Sequence, residues 1–355
     1  MQTDMHFYGT YCIARAAGIK AETAYTIAYS SQFVDDSITD KATIIDQQIC
    51  IRPIMTSHKP LDFKTSQDMD QWNVWVPFHF LPGNEPDDGP FLQRMICRKN
   101  SLMAQKMALN ALDEKNSEHW PHLIGITAHV YADTFSHFGF AGFEHVINKI
   151  DNNSIQADSR HSTSILKYIW TKTEDFKINF ASNFAELIPV GHGAVGAYTD
   201  RPYLKWEFSY ENNSFEKHNR RDNTENFMEA CECLYYFFNE FLKKTPENKD
   251  PEGSKTWDSI SDVVRFILGV EAPRDQRIKM WKKNLVSEKF CKVTPIDQDL
   301  YYDKKLWMPD RAEWESNERK VSIPETNACK FINAARTHRN YILYKLLREA
   351  GLLVS

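Results

Sequence analysis

The sequence predicts a mainly α-helical protein with a small β insertion near residues 42–81. Two features carry that reading. Most of the 355 residues fall in stretches whose apolar positions recur at intervals of three and four, the helical repeat. Strand-like segments are few and local, which excludes a doubly wound sheet and leaves helices as the bulk of the core. Hydrophobic residues at 42% and charged residues at 26% suit a folded globular chain.

Residues 5–17 read as a helix that stops at Gly18, and a second runs from about Ala21 to Val34. The segments "ATIIDQQICIRPIMTS" and "QWNVWVPFHFL" are β-branched or aromatic and read as strands, with Pro53 and Pro77 at edges or bulges. "PGNEPDDGP" (82–90) is a loop. Helical pattern returns over 91–113 and 119–147, then over 162–187, 223–244, 256–270, 273–287 and 325–350. "KKTPENKDPEGSK" (243–255) has the composition of a linker, and "IDQDLYYDKKLWMPDRAEWESNERK" that of an irregular excursion anchored by aromatics. One body is expected over 1–355, with a C-terminal subdomain after about residue 250 as the alternative.

A net charge of -5 and the lack of a long basic run give no indication of a nucleic-acid surface. No apolar run approaches the roughly 20 residues of a membrane span. The N-terminus lacks a basic leader followed by an apolar core, so a signal peptide is not expected. Seven cysteines at irregular spacing, Cys12, Cys50, Cys97, Cys231, Cys233, Cys291 and Cys329, fit reduced thiols in a cytoplasmic protein.

The chemistry concentrates in "GITAHVYADTFSHFGFAGFEH" (125–145), where His129, Asp133 and His137 stand four residues apart on one apolar stripe. Neighbours at i and i+4 can share one ion, as in the helical His-x-x-x-His zinc pair. Eight residues at 1.5 Å each separate the two histidine backbones by about 12 Å, too far for one ion. The spacing therefore favours two ions bridged by Asp133, in the manner of two-metal hydrolases with ions about 3.5–4 Å apart. His145, two turns further on, falls outside the group.

Other segments must complete such a site. The N-terminus offers His6 and, less directly, Asp4. The second helix ends in Asp35 and Asp36, two carboxylates where the helix dipole prefers a cation. His192 lies between two glycines, Asp200 in a Thr-Asp-Arg-Pro turn, and His79 among aromatics. A lone histidine on an apolar helix is more often a hydrogen-bonded core residue, and an aspartate before Arg-Pro is commonly a turn former. Arg15 and Arg98 read as salt-bridging residues, and "YLKWEFSY" as core.

The segments "DMHFYGTYCIARAAGI", "SQFVDDS", "PFHFLPG", "GITAHVYADTFSHFGFAG" and "GHGAVGAYTDRPYLKW" resemble a bacterial family named only as a domain of unknown function. That resemblance spans most of the chain and implies no activity. More distantly, the helical His-x-x-x-Asp followed by a further histidine is similar to zinc-dependent phospholipase C and the related single-strand nucleases, helical enzymes that cleave phosphate esters on clustered zinc. His129 and Asp133 match the paired ligands of that pattern, and His137 departs from it by following Asp133 too closely. HD-type phosphohydrolases are a weaker comparison, because their adjacent His-Asp pair is missing here.

The expectation is a cytoplasmic metal-dependent hydrolase acting on a small-molecule or phosphoester substrate. The ligands are drawn from His6, Asp35 or Asp36, His129, Asp133, His137 and His192, with Asp36 as the carboxylate that orients the attacking water. The donor set favours zinc, two or more ions, with manganese or iron as the other candidates. The alternatives are amide hydrolysis on the same cluster, a non-catalytic metal-stabilised binding protein, and a metal-free helical scaffold.

Overall fold

The structure, a computed structural model, describes residues 1–39, 41–45, 49–58, 70–172, 190–216, 218–307 and 322–353. Its first helix, α1 (Thr10–Ala17), is preceded by a π-wound turn over Asp4–Gly9 and ends, as the sequence predicts, at Gly18. Gly18 takes φ +96, and a Cβ there would lie 2.9 Å from the Ser254 side chain. Helix α2 (Ala21–Asp36) follows and packs along α6 (Trp120–His137), the most extensive helix pair in the fold.

The approach of α2 to α6 depends on one small residue. A Cβ on Gly125 would meet the Ile27 carbonyl oxygen at 2.3 Å and Ser30 Cβ at 2.6 Å. Gly125, His129, Asp133 and His137 are successive members of one i+4 stripe, so the residue that permits contact with α2 also sets the depth of the three polar ones. The long helix expected over 119–147 stops at His137. Gly139 (φ +86) turns the chain, and Cys97 pins the exit through Cys97 N–H to Phe140 O at 2.8 Å and Gly139 N–H to Cys97 O at 2.9 Å. His145 then caps a short 3-10 turn, its Nδ1 accepting from Ile147 N–H.

The β insertion is smaller than expected. Strands β1 (Thr43–Ile45) and β2 (Ile49–Ile51) form an antiparallel hairpin, while "QWNVWVPFHFL" is not a strand. It winds as a π turn (Gln71–Trp75) into α3 (Val76–Phe78). Its aromatics suit a strand by propensity, but Gln71, Val74 and Phe78 bury one helical face and Pro77 sits in the first turn, where a helix tolerates it. The 91–113 pattern is split into α4 (Phe91–Arg94) and α5 (Leu102–Asp113) around Asn100 at φ +46, with Ser101 capping α5.

A three-stranded antiparallel sheet was not anticipated. Its order is β3 (Gln156–Ala157), β4 (Lys205–Ser209), β5 (His218–Asp222). The segment read as core, "YLKWEFSY", supplies the central strand, whose alternation buries Trp206 and Phe208. These join Phe140, Ile150, Leu204 and Tyr210 in a second apolar cluster, together with Ile165 and Ile169 of α7 (residues 163–172). The remainder of the helix expected over 162–187, and residues 308–320 of the aromatic excursion, lie outside the described residues.

Helices α8 (Asn223–Lys244), α9 (Trp257–Leu268) and α10 (Arg274–Val286) lie close to their expected bounds, and the helix expected over 325–350 is α12 (Asn327–Tyr341) followed by a π turn (Ile342–Leu346) and a last turn, Leu347–Glu349. α11 (Pro295–Gln298) opens with a capping box between Thr294 and Asp297. The segment read as a linker is instead bonded to α1. Asp250 N–H donates to Gly18 O at 2.7 Å, Lys255 N–H donates to Ala16 O at 2.8 Å, and buried Arg15 bonds both Asp250 and Asp297. Most of its side chains are exposed, as its polar composition predicts, while its backbone pairs with the end of α1. The main core runs from Met1 to Leu352, and all seven cysteines are free thiols. Among the described residues no helix is long and apolar enough to cross a membrane.

Two expectations test the packing. Helix propensity favours alanine over glycine by about 0.8–1.0 kcal/mol, whereas overpacking a close contact costs about 1–3 kcal/mol. Because the contact at Gly125 is to backbone, Gly125→Ala should lower the thermal midpoint; a rise would contradict the crossing. Two turns before His129 on the same face of α6, buried His122 bonds Asn327 Oδ1 at 3.2 Å, and burial lowers its pKa to about 3. The unfolded chain takes up that proton near 6.5, so the contribution is intact above about pH 6.5 and is lost as pH falls toward 3. The drop in thermal midpoint between pH 7 and pH 5 should therefore be smaller in His122→Phe than in the parent; equal drops would contradict this.

Candidate metal centre

Five parts of the chain converge on the polar stripe of α6. The π turn at the N-terminus delivers His6, whose Nε2 lies 3.2 Å from Asp133 Oδ1. The last turn of α2 brings Asp35 Oδ1 to 3.9 Å from His129 Nε2 and 4.0 Å from His79 Nδ1. His79 follows α3, and its Nδ1 is 3.3 Å from His129 Nε2 and 3.4 Å from Asp133 Oδ2. The 3-10 segment Gly191–Tyr198 carries His192, and the turn after it carries Asp200. His137 Nε2 is 3.6 Å from Asp200 Oδ1, and the His137 and His192 rings are 4.4 Å apart.

The ligand atoms form three groups, each close enough to hold an ion: His6, His129 and Asp133; Asp35, His79 and His129; His137, His192 and Asp200. His129 and His137 fall in different groups; Asp133 belongs to the first, with its Oδ2 3.1 Å from His129 Nε2, and lies 3.5 Å from Nδ1 of His137 in the third.

The tautomers follow from the backbone. His129 Nδ1 lies 2.8 Å from Ser31 O, His137 Nδ1 2.9 Å from His79 O, His79 Nε2 2.9 Å from Thr56 O, and His192 Nδ1 3.1 Å from Gly196 O. A carbonyl only accepts, so each of these nitrogens carries the proton and donates it. In a neutral ring the other nitrogen then presents a lone pair. Those lone pairs face carboxylate oxygens or one another: His129 Nε2 toward Asp133 and His79 Nδ1, His137 Nε2 toward Asp200. Two acceptors at 3.1–3.6 Å repel unless a proton or a cation lies between them. Ligands about 2.0–2.1 Å from one tetrahedral ion stand about 3.3 Å apart, which matches these separations. A histidine whose second nitrogen is fixed by a carbonyl is the usual arrangement around a bound metal. Both nitrogens of buried His6, and Nε2 of His137, have no hydrogen-bond partner.

One positive group is already inside. The α-amino group of Met1 is fully buried, 2.8 Å from Asp133 Oδ1 and 3.4 Å from Asp200 Oδ1. Burial works against its charge, but Asp133, Asp200 and Asp35 raise its pKa to about 11. Burial likewise opposes the Asp133 carboxylate, yet His137, the amine, His129 and His6 hold it well below the usual range. Asp200 is lowered in the same way by the amine and His192. Burial pushes Asp35 up. It also drives His6 well below its ordinary value and His192 to about 3, with neighbouring imidazoles adding to both.

The structure thus gathers His6, Asp35, His129, Asp133, His137 and His192. Asp36 lies apart from them, accepting from Tyr302 Oη at 2.7 Å and Gln32 Nε2 at 3.2 Å, with Lys304 Nζ at 3.7 Å. One residue's rotation on α2 separates the two aspartates, and Lys304 offsets the dipole conflict only for the second. His79 and Asp200 belong to the cluster although sequence gave them little weight: His79 looked like part of a strand and Asp200 like a turn former. Asp4 holds the N-terminal segment in place through Arg277 Nε at 2.6 Å. Nothing in the sequence pattern marks the Met1 amine.

No curated protein and no solved structure matches this chain. A family model does match, over residues 1–346, and its description is a family of unknown function. The chain belongs to that family, DUF6765.

Proposed function

We propose that the chain is a metal-dependent hydrolase that cleaves a phosphoester with metal-activated water. The observation that carries the reading is the set of carbonyl-fixed imidazoles whose second nitrogens face shared carboxylates. His6, Asp35, His79, His129, Asp133, His137, His192 and Asp200 are the proposed ligands, with Asp133 between adjacent ions. The donors are nitrogen and oxygen without sulfur, which favours zinc, with manganese or iron next. Divalent ions bound there supply charge for phosphoryl oxygens and lower the pKa of water toward about 7.

The remaining work falls to the chain. Structural zinc sites are closed and commonly use cysteine, whereas catalytic sites keep a position for water. The Asp35 side chain is 31% exposed and that of Asp200 14%, against 1% or less for His6, His129 and Asp133. The cluster therefore has a buried floor and a wetter rim, and substrate enters at the rim. Asp35 is the proposed acceptor of the proton released by water, because its carboxylate stands at the exposed rim within 4.0 Å of His79 and His129. Asp36, one residue on, is engaged by Tyr302 and Lys304 and takes the supporting part.

Protein purified without added metal should contain more than one equivalent of divalent ion by elemental analysis. Asp133→Asn should reduce that content, because a bridging ligand serves two ions. A metal-free parent protein would contradict the proposal. Loaded protein should hydrolyse a generic phosphomonoester or phosphodiester, lose the activity to a chelator and regain it with zinc or manganese. Asp35→Asn should lower kcat by about 10²–10⁴ when measured at saturating metal, which separates loss of the proton acceptor from loss of a ligand. Fully loaded protein without phosphoesterase or amidase activity would identify a metal-stabilised binding protein instead.

A further inference from the structure

One residue beyond Asp200, a member of the third ligand group, stands a buried cation that meets no carboxylate among the described residues. Four arginines among the described residues are buried: Arg15, Arg201, Arg221 and Arg277. Three are fully engaged. Arg15 donates to Asp297, Asp250 and the Ile19 carbonyl. Arg221 donates to the Ser136 and Phe138 carbonyls and to Asn219. Arg277 donates to Asp4, Gln2 and the Ala272 carbonyl.

Arg201 differs. It is 6% exposed, and its Nη1 has no hydrogen-bond partner. Among the described residues its guanidinium meets no carboxylate and lies over two rings, 5.7 Å from Tyr198 and 5.9 Å from Tyr168. The Tyr203 hydroxyl, within electrostatic reach of Arg201, is also buried without a partner. The backbone that carries them is held firmly, since Asn223 Nδ2 donates to both the Tyr198 and Arg201 carbonyls. Asp200, one residue away, directs its carboxylate to His137 and the Met1 amine and so does not compensate Arg201.

A buried charge without a counterion is costly, and so is a buried hydroxyl without a partner. Such a cost is kept where a ligand relieves it. The missing complement is an oxyanion: it would accept from the guanidinium and from the phenol, and the tyrosine rings would wall it from water.

We propose that Arg201 and Tyr203 form an oxyanion subsite beside the metal centre that binds the phosphate, or failing that the carboxylate, of the substrate. The subsite deepens the hydrolase reading and rests on it only for the word substrate, since anion binding by Arg201 requires no metal. It also favours a phosphoester over an uncharged amide.

The test titrates inorganic phosphate, and separately acetate, into the full chain by calorimetry, in metal-loaded and chelator-treated forms. The parent should bind phosphate in both forms. Arg201→Gln should weaken binding at least tenfold in each, Arg201→Lys less than Arg201→Gln, and Tyr203→Phe a few-fold. Metal content should be the same in all variants. Without phosphate, Arg201→Gln should melt at or above the parent's midpoint, because an uncompensated charge has been removed; phosphate should raise the parent's midpoint and not the variant's. Acetate binding as tight as phosphate, lost in Arg201→Gln, supports the subsite and points to a carboxylate substrate. Unchanged phosphate affinity in Arg201→Gln, or a lowered midpoint with unchanged affinity, overturns the subsite and leaves the hydrolase proposal standing. A metal-free parent protein that binds phosphate through Arg201 overturns the hydrolase proposal and leaves the subsite.

Discussion

Asp133 is a buried carboxylate ringed by imidazole nitrogens, and the balance of charge around it governs the centre of this molecule. Its two oxygens lie within 3.5 Å of four donor atoms, on His6, His79, His129 and His137, in addition to the Met1 amine. His79 and His129 are committed to backbone carbonyls through their other ring nitrogen, and His137 through the same Nδ1 that lies near Asp133. They cannot all be protonated in a dry interior, where each extra charge is opposed by burial and by its neighbours. A divalent ion would resolve the conflict with the geometry already present at His79 and His129, whose lone pairs face the carboxylates while their N–H groups are held by carbonyls.

The surrounding fold serves that arrangement. Gly125 lets α2 approach α6 closely enough for the Ser31 carbonyl to hold His129. The π winding over Asp4–Gly9 sets His6 against His129, ring centroids 3.8 Å apart, and π turns recur at functional positions for this reason. Arg277 ties Gln2 and Asp4 and so holds the first residues of the chain in the cluster. The second apolar cluster, beneath the three-stranded sheet, supports the loop that presents His192, Asp200 and Arg201.

Much of this was legible in the sequence, and the limits have physical causes. The i+4 stripe on α6 drew attention to His129, Asp133 and His137 because helical geometry alone places them together, and in the structure the two histidines fall in different groups. The choice between Asp35 and Asp36 was not legible, since it depends on where Tyr302 and Lys304 stand. His79 was obscured by aromatic neighbours whose propensity suggested a strand, while burial of one face made them helical. The sheet was missed because its central strand is short and its partners lie far away in sequence. Arg201 gave no sign at all: an arginine before proline is ordinary, and only the absence of a partner in the folded protein sets it apart.

The most direct measurement is anomalous diffraction from crystals of protein purified without added metal, recorded at the absorption edge of the ion it contains. Strong peaks among His6, Asp35, His79, His129 and Asp133, and between His137, His192 and Asp200, are the predicted result. No peak there, with protons instead bridging the imidazoles to Asp133, would contradict the account.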